Sequence, residues 1–199
     1  PAGMTVALVA ALEGLDVIIC EKSQQVGGTG ATSAGTLWIP GNTQSKLAGY
    51  KDSATDAAKY LDSLIGDDGD QIRRRVYLED GPKVIDYLME RTDVKFAPCG
   101  THPDYRSNIV GAAVDGRAII PEQFNGRKLG QDFERVRPPI EEFMLFGGMM
   151  VGKDDIARLT KRYESVHNFA FSASIFLRFL IPQKTHIILN FVSKNIPVA

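Results

Sequence analysis

The sequence contains 199 residues, of which 44% are hydrophobic and 24% charged, a composition typical of a globular protein with one sizeable core. The formal net charge of -1 excludes the strongly basic field with which proteins recruit nucleic acid or anionic membranes. Only two cysteines are present, which excludes a disulfide scaffold and a cysteine zinc site and favours a reducing compartment.

The first elements predicted along the chain are a helix and a buried strand. Residues 4–12 are rich in Ala, Val and Leu without a polar face, which predicts a helix buried against a sheet, and Gly14 stands where its C-terminal cap belongs. Residues 16–20 form a short continuous apolar run, which predicts a central parallel strand with Cys20 in the core. Helix and strand together predict the second half of a βαβ unit.

Gly3 and Glu21 have the spacing of part of a dinucleotide-binding fingerprint. In that fingerprint a strand leads into G-x-G-x-x-G at a helix start, and an acid follows about 20 residues later. Gly3 fits the third glycine, where a side chain would push the helix off the strand. Glu21 fits the acid that accepts hydrogen bonds from the adenosine ribose. The alternative interpretation is a generic βαβ start with a surface glutamate.

A glycine-rich segment follows at residues 24–41. It holds five glycines together with several Thr and Ser residues. Small residues allow a backbone to approach a ligand closely, and hydroxyl and free N–H groups bind phosphate or ring heteroatoms. A flexible linker is the alternative, but the predicted strand precedes this segment and apolar Leu37 and Ile39 lie within its end.

The middle of the chain predicts helices and then a long irregular stretch. Apolar stripes predict helices over residues 54–65, 70–78 and 82–90, with Pro82 in the first turn of the last one. Residues 93–98 alternate as a short strand would, and residues 99–139 show little periodicity, with Cys99 in this loop region. No group of residues has the spacing of a metal site, so we expect none.

The last third predicts two helices and a strand. Residues 144–151 form an apolar run, residues 152–159 a capped helix and residues 165–180 a second helix. Residues 185–192 predict a strand. The most apolar segment, residues 169–181, is too short to span a bilayer, so no integral membrane segment is expected.

Several of these segments resemble a known flavoprotein family. Ala2-Gly3-Met4-Thr5, Glu21-Lys22-Ser23, Gly27-Gly28-Thr29 and the run from Ser33 to Gly41 are similar to the FAD-binding start of the fumarate reductase/succinate dehydrogenase flavoprotein superfamily. The form Gly-Gly-Thr, Ser, then Trp-x-Pro-Gly resembles its 3-ketosteroid Δ1-dehydrogenase branch. The resemblance implies FAD as the cofactor.

The same resemblance implies roles for individual residues. Gly3 would let the helix N-terminus face the FAD pyrophosphate, and Glu21, with Lys22 beside it, would bind the adenosine ribose. The loop along the ribityl chain and flavin corresponds to the following cofactor-binding candidates: Gly28, Thr29, Ser33, Ala34 and Gly35.

One catalytic candidate comes from the irregular stretch. His102-Pro103-Asp104-Tyr105 resembles the family's Pro-Asp-Tyr element, and residues 125–130 with Arg137-Pro138 resemble its Gly-Arg-x-Leu-Gly and Arg-Pro elements. The resemblance implies that Tyr105 lines the substrate pocket and supports the removal of a proton or hydrogen. The alternative is a half-buried tyrosine with its hydroxyl in water.

The predicted fold class is α/β: a Rossmann-like FAD-binding domain with helical and irregular insertions, incomplete because the first strand and the start of the glycine fingerprint are missing. Residues 1–43 would form the βα dinucleotide-binding core. Residues 44–199 would be a helical and loop insertion with a C-terminal helix and strand. With the separate catalytic domain absent, we expect a truncated fragment that is inactive alone.

The predicted function is that of an FAD-dependent oxidoreductase acting on CH–CH groups, which dehydrogenates a 3-ketosteroid-like substrate by hydride transfer to flavin N5. Its partner would be a small molecule, steroid-like or an enone or dicarboxylate, with no nucleic acid and an unassigned electron acceptor. The expected location is the cytoplasm, with peripheral membrane association as an option. The alternatives are a fumarate reductase/succinate dehydrogenase-like flavoprotein, a non-catalytic nucleotide-binding module and, ranked lower, an NAD-dependent dehydrogenase.

Overall fold

The computed structural model describes residues 2–146 and 149–180. The chain divides into two compact units. The first unit comprises Pro1–Ala34 and Gln123–Ala199, and the second is Gly35–Glu122. Along the chain, therefore, the second unit is an insertion within the first.

The first unit begins with the predicted helix. Helix α1 spans Ala2–Leu12, with Ala7 and Leu8 buried. It ends at Gly14, which has a φ of 81°, a backbone conformation that favours glycine. The Gly14 N–H donates to Ala11 O at 3.1 Å, and the next N–H donates to Ala10 O at 3.0 Å. The predicted helix and its glycine cap are confirmed.

The prediction of a strand over residues 16–20 is wrong within the described part of the chain. A strand needs ladder hydrogen bonds at successive residues, and in this run only Ile19 forms a bridge. The side chain of Ile18 is 72% exposed, and Cys20 is exposed as well, although both were expected in a core. An apolar run alone predicts an extended chain but does not supply the neighbouring strands that would bury it.

The rest of the first unit consists of short elements. These are α2 (Gly28–Ala31), two stretches of 3-10 helix (Gly126–Arg135, broken at Gly130, and Glu141–Phe143), the antiparallel pair β4 (Met144–Leu145) and β5 (Met149–Met150), α6 (Lys153–Thr160) and α7 (Val166–Leu180). The two helices predicted in the last third are confirmed. The strand predicted over residues 185–192 lies outside the described residues. Leu129 and Phe133 form a small buried cluster against Phe124 and Val136.

The second unit is built on a three-stranded antiparallel sheet. Its strands are β1 (Leu37–Trp38), β2 (Phe96–Pro98) and β3 (Ala118–Pro121), in the order β1-β3-β2. Leu37 pairs with Ile119, and Phe96 pairs with Pro121. Strand β3 lies within the stretch predicted to be irregular, so that prediction is wrong there. Being central, β3 is flanked on both edges, and Ile119 is fully buried.

Three helices complete the second unit: α3 (Thr43–Leu47), α4 (Ala54–Ile65) and α5 (Gln71–Arg91). Helix α4 has the predicted bounds. It begins where Ser53 Oγ accepts from the Asp56 N–H at 3.0 Å, and it ends at Gly66, which has a φ of 63°. Its buried residues are Ala57 and Tyr60.

Helix α5 replaces the two helices predicted over residues 70–78 and 82–90. It is continuous, and Pro82 lies inside it rather than in a first turn. Ile85 and Leu88 beyond the proline are buried, and this packing holds the helix together although proline removes one backbone hydrogen bond. Ile72, which belongs to the apolar stripe of residues 70–78, is nevertheless 66% exposed.

No helix within residues 2–146 and 149–180 has both the length and the apolar character to cross a bilayer.

Candidate functional site

A tight turn after residue 20 fixes the carboxylate of Glu21. The backbone N–H and the hydroxyl of Ser23 both lie 3.0 Å from Glu21 Oε1 and donate to it. The backbone N–H first, and then the hydroxyl, lower the pKa of Glu21 from its ordinary value of 4.5. The carboxylate is therefore ionised at neutral pH, and its Oε2 atom takes part in neither of these bonds.

The segment after this turn is anchored to a distant part of the chain. Val26 forms an isolated parallel bridge with Val136: the Val26 N–H donates to Arg135 O, and the Arg137 N–H donates to Val26 O, both at 2.8 Å. The Gln25 side-chain amide donates to Glu134 O at 3.1 Å. Val26 is buried. The entry to the glycine-rich segment is thus held in place by residues 134–137.

Residues 26–34, which we name the glycine loop, need glycine at their start. Gly27 and Gly28 have φ values of 128° and 51°, in the region that side chains disfavour. A Cβ on Gly27 would lie 2.9 Å from the Cβ of Ala31, whereas a Cβ on Gly28 would meet nothing within 4 Å in the described part of the chain. Gly28 therefore borders open space.

Two hydroxyl groups of the glycine loop, those of Thr32 and Ser33, donate to backbone carbonyls of the loop itself. Thr32 Oγ1 donates to Thr29 O at 3.1 Å, and Ser33 Oγ donates to Gly30 O at 3.0 Å. These bonds close the short helix α2 at its C-terminal end. Gly28, Thr29, Ser33 and Ala34 are all exposed. The loop presents small residues and backbone to solvent on a locally hydrogen-bonded frame.

The remaining cofactor-binding candidates lie on either side of the glycine loop in sequence. Gly3 is in the first turn of α1 and is exposed, and a Cβ there would meet nothing within 4 Å among the described residues. Lys22 is exposed beside Glu21. Gly35, with a φ of 71°, is the first residue of the second unit.

Tyr105 belongs to the second unit and is 94% exposed. It lies in a loop of residues 104–113, which we name the tyrosine loop. The loop is closed at its base, because the Asp104 N–H donates to Ala113 O and the Ala113 N–H donates to Asp104 Oδ2, both at 2.9 Å. The residues described in this unit do not bury the Tyr105 side chain as a pocket would.

The tyrosine loop also rests on helix α4. The Arg106 N–H donates to the Tyr60 hydroxyl oxygen at 3.3 Å. Gly111 approaches the helix so closely that a Cβ there would lie 2.3 Å from Asp56 O, and its φ is 81°. Only glycine fits at that position.

A buried ionic cluster lies beneath the tyrosine loop. Arg117, whose side chain is 2% exposed, donates from Nε to Asp52 Oδ1 at 2.9 Å and from a terminal nitrogen to Asp104 Oδ2 at 2.6 Å. Asp52 Oδ2 accepts from the Gly41 N–H at 2.8 Å, and Asp104 Oδ1 accepts from Trp38 Nε1 at 2.7 Å. Every carboxylate oxygen of the cluster is therefore hydrogen-bonded, as buried charges require.

Two aromatic rings enclose the guanidinium of this cluster. The Arg117 Cζ atom lies 5.7 Å from the centre of the Trp38 ring and 5.8 Å from that of Tyr60, within the range of cation–π attraction. The Trp38 ring also stacks on Tyr77 at an interplanar angle of 3°. The contacts of the cluster connect β1, α4, the residue before β3 and the tyrosine loop within the second unit.

Neither this cluster nor the contact of residues 134–137 with the glycine loop was predicted from the sequence. Asp104 was predicted only as part of a family element, and no role was predicted for Arg117 or Asp52. The one available signal was Arg117 directly before the apolar run 118–120, where an arginine is costly unless it is paired. The aspartates that pair with it could not be identified without the fold.

One family covers most of the chain. The FAD binding domain family matches residues 1–188. Two curated relatives agree with this match over most of the chain's length. The 4-oxocyclohex-2-ene-1-carboxylate 5-dehydrogenase of Sinomonas cyclohexanicum is 36% identical over 177 residues, which are 89% of this chain and 30% of that protein.

The 3-oxosteroid 1-dehydrogenase of Mycolicibacterium smegmatis is 34% identical over 160 residues, 80% of this chain and 28% of that protein. A solved structure is similar too: the 3-ketosteroid Δ1-dehydrogenase of Sterolibacterium denitrificans, in complex with 1,4-androstadiene-3,17-dione. It superposes with a TM-score of 0.82 at 25% identity, over 98% of this chain and 37% of that one. The chain thus spans roughly a third of the length of these proteins.

Proposed function

This chain belongs to the FAD binding domain family, and on that premise we propose that it forms the FAD-binding part of an oxidoreductase that dehydrogenates a cyclic ketone at a CH–CH bond. The observation that carries the proposal is the similarity to ring-ketone dehydrogenases over 80% and 89% of the chain. The family confirms the predicted cofactor, FAD, and the predicted resemblance.

The residues of the glycine loop fit FAD on a structural criterion. Gly28 borders open space that a side chain would enter, and its neighbour Thr29 is exposed. A flavin or ribityl chain could therefore approach this backbone closely. We propose that the glycine loop, including its last residues Ser33 and Ala34, lies along that part of the cofactor together with Gly35, which follows it.

Glu21 and Gly3 would hold the other end of FAD. Glu21 is ionised and pre-oriented by Ser23, so its Oε2 atom can accept from a ribose hydroxyl without a reorganisation cost. Gly3 leaves the first turn of α1 open to a pyrophosphate, and Lys22 adds a positive charge beside Glu21.

Tyr105 is proposed to act on the substrate. A phenol can donate, accept and relay a proton, and the tyrosine loop holds this one on a fixed frame. Bound FAD supplies the acceptor for the hydride that leaves the substrate. We place the enzyme in the cytoplasm, which cell fractionation followed by immunoblotting would test.

Flavin uptake tests the proposal. The protein, expressed from its complete coding sequence, should be purified with a flavin absorption band. Glu21→Gln should weaken FAD affinity roughly 10- to 100-fold, the value of a hydrogen bond to a charged group. Asp16→Asn, which removes an exposed carboxylate from the same segment, is the matched control and should leave affinity unchanged. Colourless protein that takes up no FAD would refute the proposal.

Two substrate classes follow from the relatives. A 3-ketosteroid is favoured by the 3-oxosteroid 1-dehydrogenase and by the solved structure, whereas a 4-oxocyclohexane-type carboxylate is favoured by the relative from Sinomonas cyclohexanicum. Reduction of an artificial electron acceptor with each substrate distinguishes them. Tyr105→Phe should lower kcat at least about 100-fold with the true substrate.

A further inference from the structure

Asp104 directly precedes Tyr105 in the chain, but Asp104 is buried whereas Tyr105 is exposed. Its side chain is buried and accepts three hydrogen bonds, from Trp38 Nε1, Arg117 and the Ala113 N–H, whereas the Tyr105 side chain is almost fully exposed. When one residue is locked by three bonds, the peptide that leads into the next residue is fixed as well. Few torsions then separate the buried cluster from the phenol.

Beyond Asp104, the tyrosine loop is joined to the rest of the unit by the Arg106–Tyr60 bond at 3.3 Å and by the close approach of Gly111 to α4. Two further backbone bonds, from Ile109 N–H to Arg106 O and from Ala112 N–H to Ile109 O, both at 3.2 Å, lie inside the loop and do not fix its direction. Arg106 itself and the residues at positions 107 and 108 are exposed. The direction of Tyr105 therefore depends on the base of the loop rather than on packing of its own ring.

We propose that Asp104 is a positioning residue, which through its buried bonds to Arg117, Trp38 and Ala113 sets the direction in which the tyrosine loop presents Tyr105 to the substrate. The proposal rests on the proposed function for the role of Tyr105. Its physical core, that Asp104 rather than the cluster as a whole holds the loop, can be measured without any activity.

Asp52 provides a matched control. It is the other buried carboxylate on Arg117, with a side chain 4% exposed against 2% for Asp104, and it also accepts a backbone N–H. Its second partner is Gly41, however, and it makes no bond to the tyrosine loop. Asp52→Asn and Asp104→Asn thus remove the same charge from the same arginine, and only the second loosens the loop.

The first experiment measures kcat and KM of the FAD-loaded enzyme in a double-mutant cycle. Asp104→Asn should lower kcat roughly 10- to 100-fold, the scale of a small misplacement of a reacting group. In a Tyr105→Phe background the same change should have less than about a twofold effect, because the group that it positions is gone. Asp52→Asn should have the same effect in both backgrounds. Additive effects for Asp104→Asn would overturn the proposal.

The second experiment is limited trypsin digestion, in which mass spectrometry quantifies cleavage after Arg106. Asp104→Asn should accelerate this cleavage roughly 10- to 100-fold, since proteolysis follows the open population of the loop. Asp52→Asn should leave it within about twofold. Equal rates in the two variants would overturn the proposal even if the enzyme is active, whereas failure to take up FAD refutes only the proposed function.

A gentler variant covers the case in which Asp104→Asn does not fold. Trp38→Phe keeps an aromatic ring beside Arg117, deletes the Nε1 donor to Asp104 Oδ1 and reduces the ring area that stacks on Tyr77. It should accelerate cleavage after Arg106 several-fold and lower kcat in the Tyr105 background but not in the Tyr105→Phe background. Unchanged cleavage in a folded Trp38→Phe protein would contradict the proposal.

Discussion

Replacing Arg117 with methionine should destabilise the unit Gly35–Glu122 by about 3–5 kcal/mol, because removal of one partner from a buried ionic cluster leaves an uncompensated charge. Methionine keeps the apolar stem of the side chain and deletes the guanidinium. Asp52 and Asp104 would then be two buried carboxylates without a cation. The variant would also lose the cation–π attraction between Arg117 and the Trp38 ring.

The same magnitude follows from the individual bonds. The variant loses the 2.9 Å bond to Asp52 and the 2.6 Å bond to Asp104, each worth roughly 1.5–3 kcal/mol as a charge-assisted hydrogen bond. The donors from Gly41, Trp38 and Ala113 still bind three of the four carboxylate oxygens, which keeps the loss from being larger. The fourth oxygen, Asp52 Oδ1, loses the donor that Arg117 supplied. A loss of this size is a large fraction of the about 5–15 kcal/mol by which domains are stable.

Urea denaturation followed by tryptophan fluorescence measures the loss of stability of the second unit, Gly35–Glu122. Trp38 is the chain's only tryptophan and hydrogen-bonds to the cluster. The control is Arg75→Met, since Arg75 is 70% exposed and its carboxylate partner Glu79 is 59% exposed, so no charge is left buried. That control should lose about 1 kcal/mol or less. If Arg117→Met loses no more than the control, the cluster does not stabilise the unit as argued.

A triple variant tests the cause of the loss. Adding Asp52→Asn and Asp104→Asn to Arg117→Met neutralises both carboxylates. The amide oxygen at position 52 can still accept from the Gly41 N–H, and the one at position 104 can accept from either Trp38 Nε1 or the Ala113 N–H but not from both. Stability should recover in part, because an uncharged polar group is cheaper to bury than an unpaired ion. A triple variant less stable than Arg117→Met would show that lost packing, not unpaired charge, dominates.

Three further predictions concern other parts of the chain. Ser23→Ala should raise the pKa of Glu21 toward 4.5, so that on acidification the carboxylate is protonated, and FAD binding is lost, at a higher pH than in the native protein. A carbon-13 NMR titration of Glu21 measures the shift, and an unchanged pKa would contradict the prediction. Gly27→Ala should weaken FAD binding by about 1–2 kcal/mol, because its φ is 128° and the new methyl group would meet Ala31 at 2.9 Å; calorimetry checks this, and native affinity would refute it. Pro82→Ala should stabilise α5 by about 1–3 kcal/mol by restoring a backbone hydrogen bond, which thermal denaturation measures; a lower Tm would count against it.

The sequence predicted well those elements whose causes are local. Helix α4 has the predicted bounds because Ser53 and Gly66 mark its ends and its apolar residues recur at helical spacing. The Glu21 turn was not predicted, although its cause is also local, since the residue that fixes its carboxylate is only two positions away. Periodicity and capping need no knowledge of the fold.

Prediction failed where distant residues decide the outcome. A helix start was placed at Pro82 by a local rule, yet burial of Ile85 and Leu88 carries α5 through it. The apolar run at residues 16–20 predicted a strand, but a strand exists only where a ladder forms. Arg117 and Asp52 are 65 positions apart, so neither residue by itself predicts a buried ion pair.

The bridge between residue 26 and residue 136 has a consequence for how the chain folds. The Gln25 side chain and Val136 O, 111 positions apart, are hydrogen-bond partners, so the glycine loop cannot take its final form until most of the chain has been synthesised. The folded insertion, Gly35–Glu122, makes the pairing of residues 26 and 136 easier to reach. Once it has folded, Leu37 is paired with Ile119, so only short stretches of chain separate that pair from residues 26 and 136. A substitution that slows folding of the insertion should therefore delay FAD capture although it touches no residue of the glycine loop.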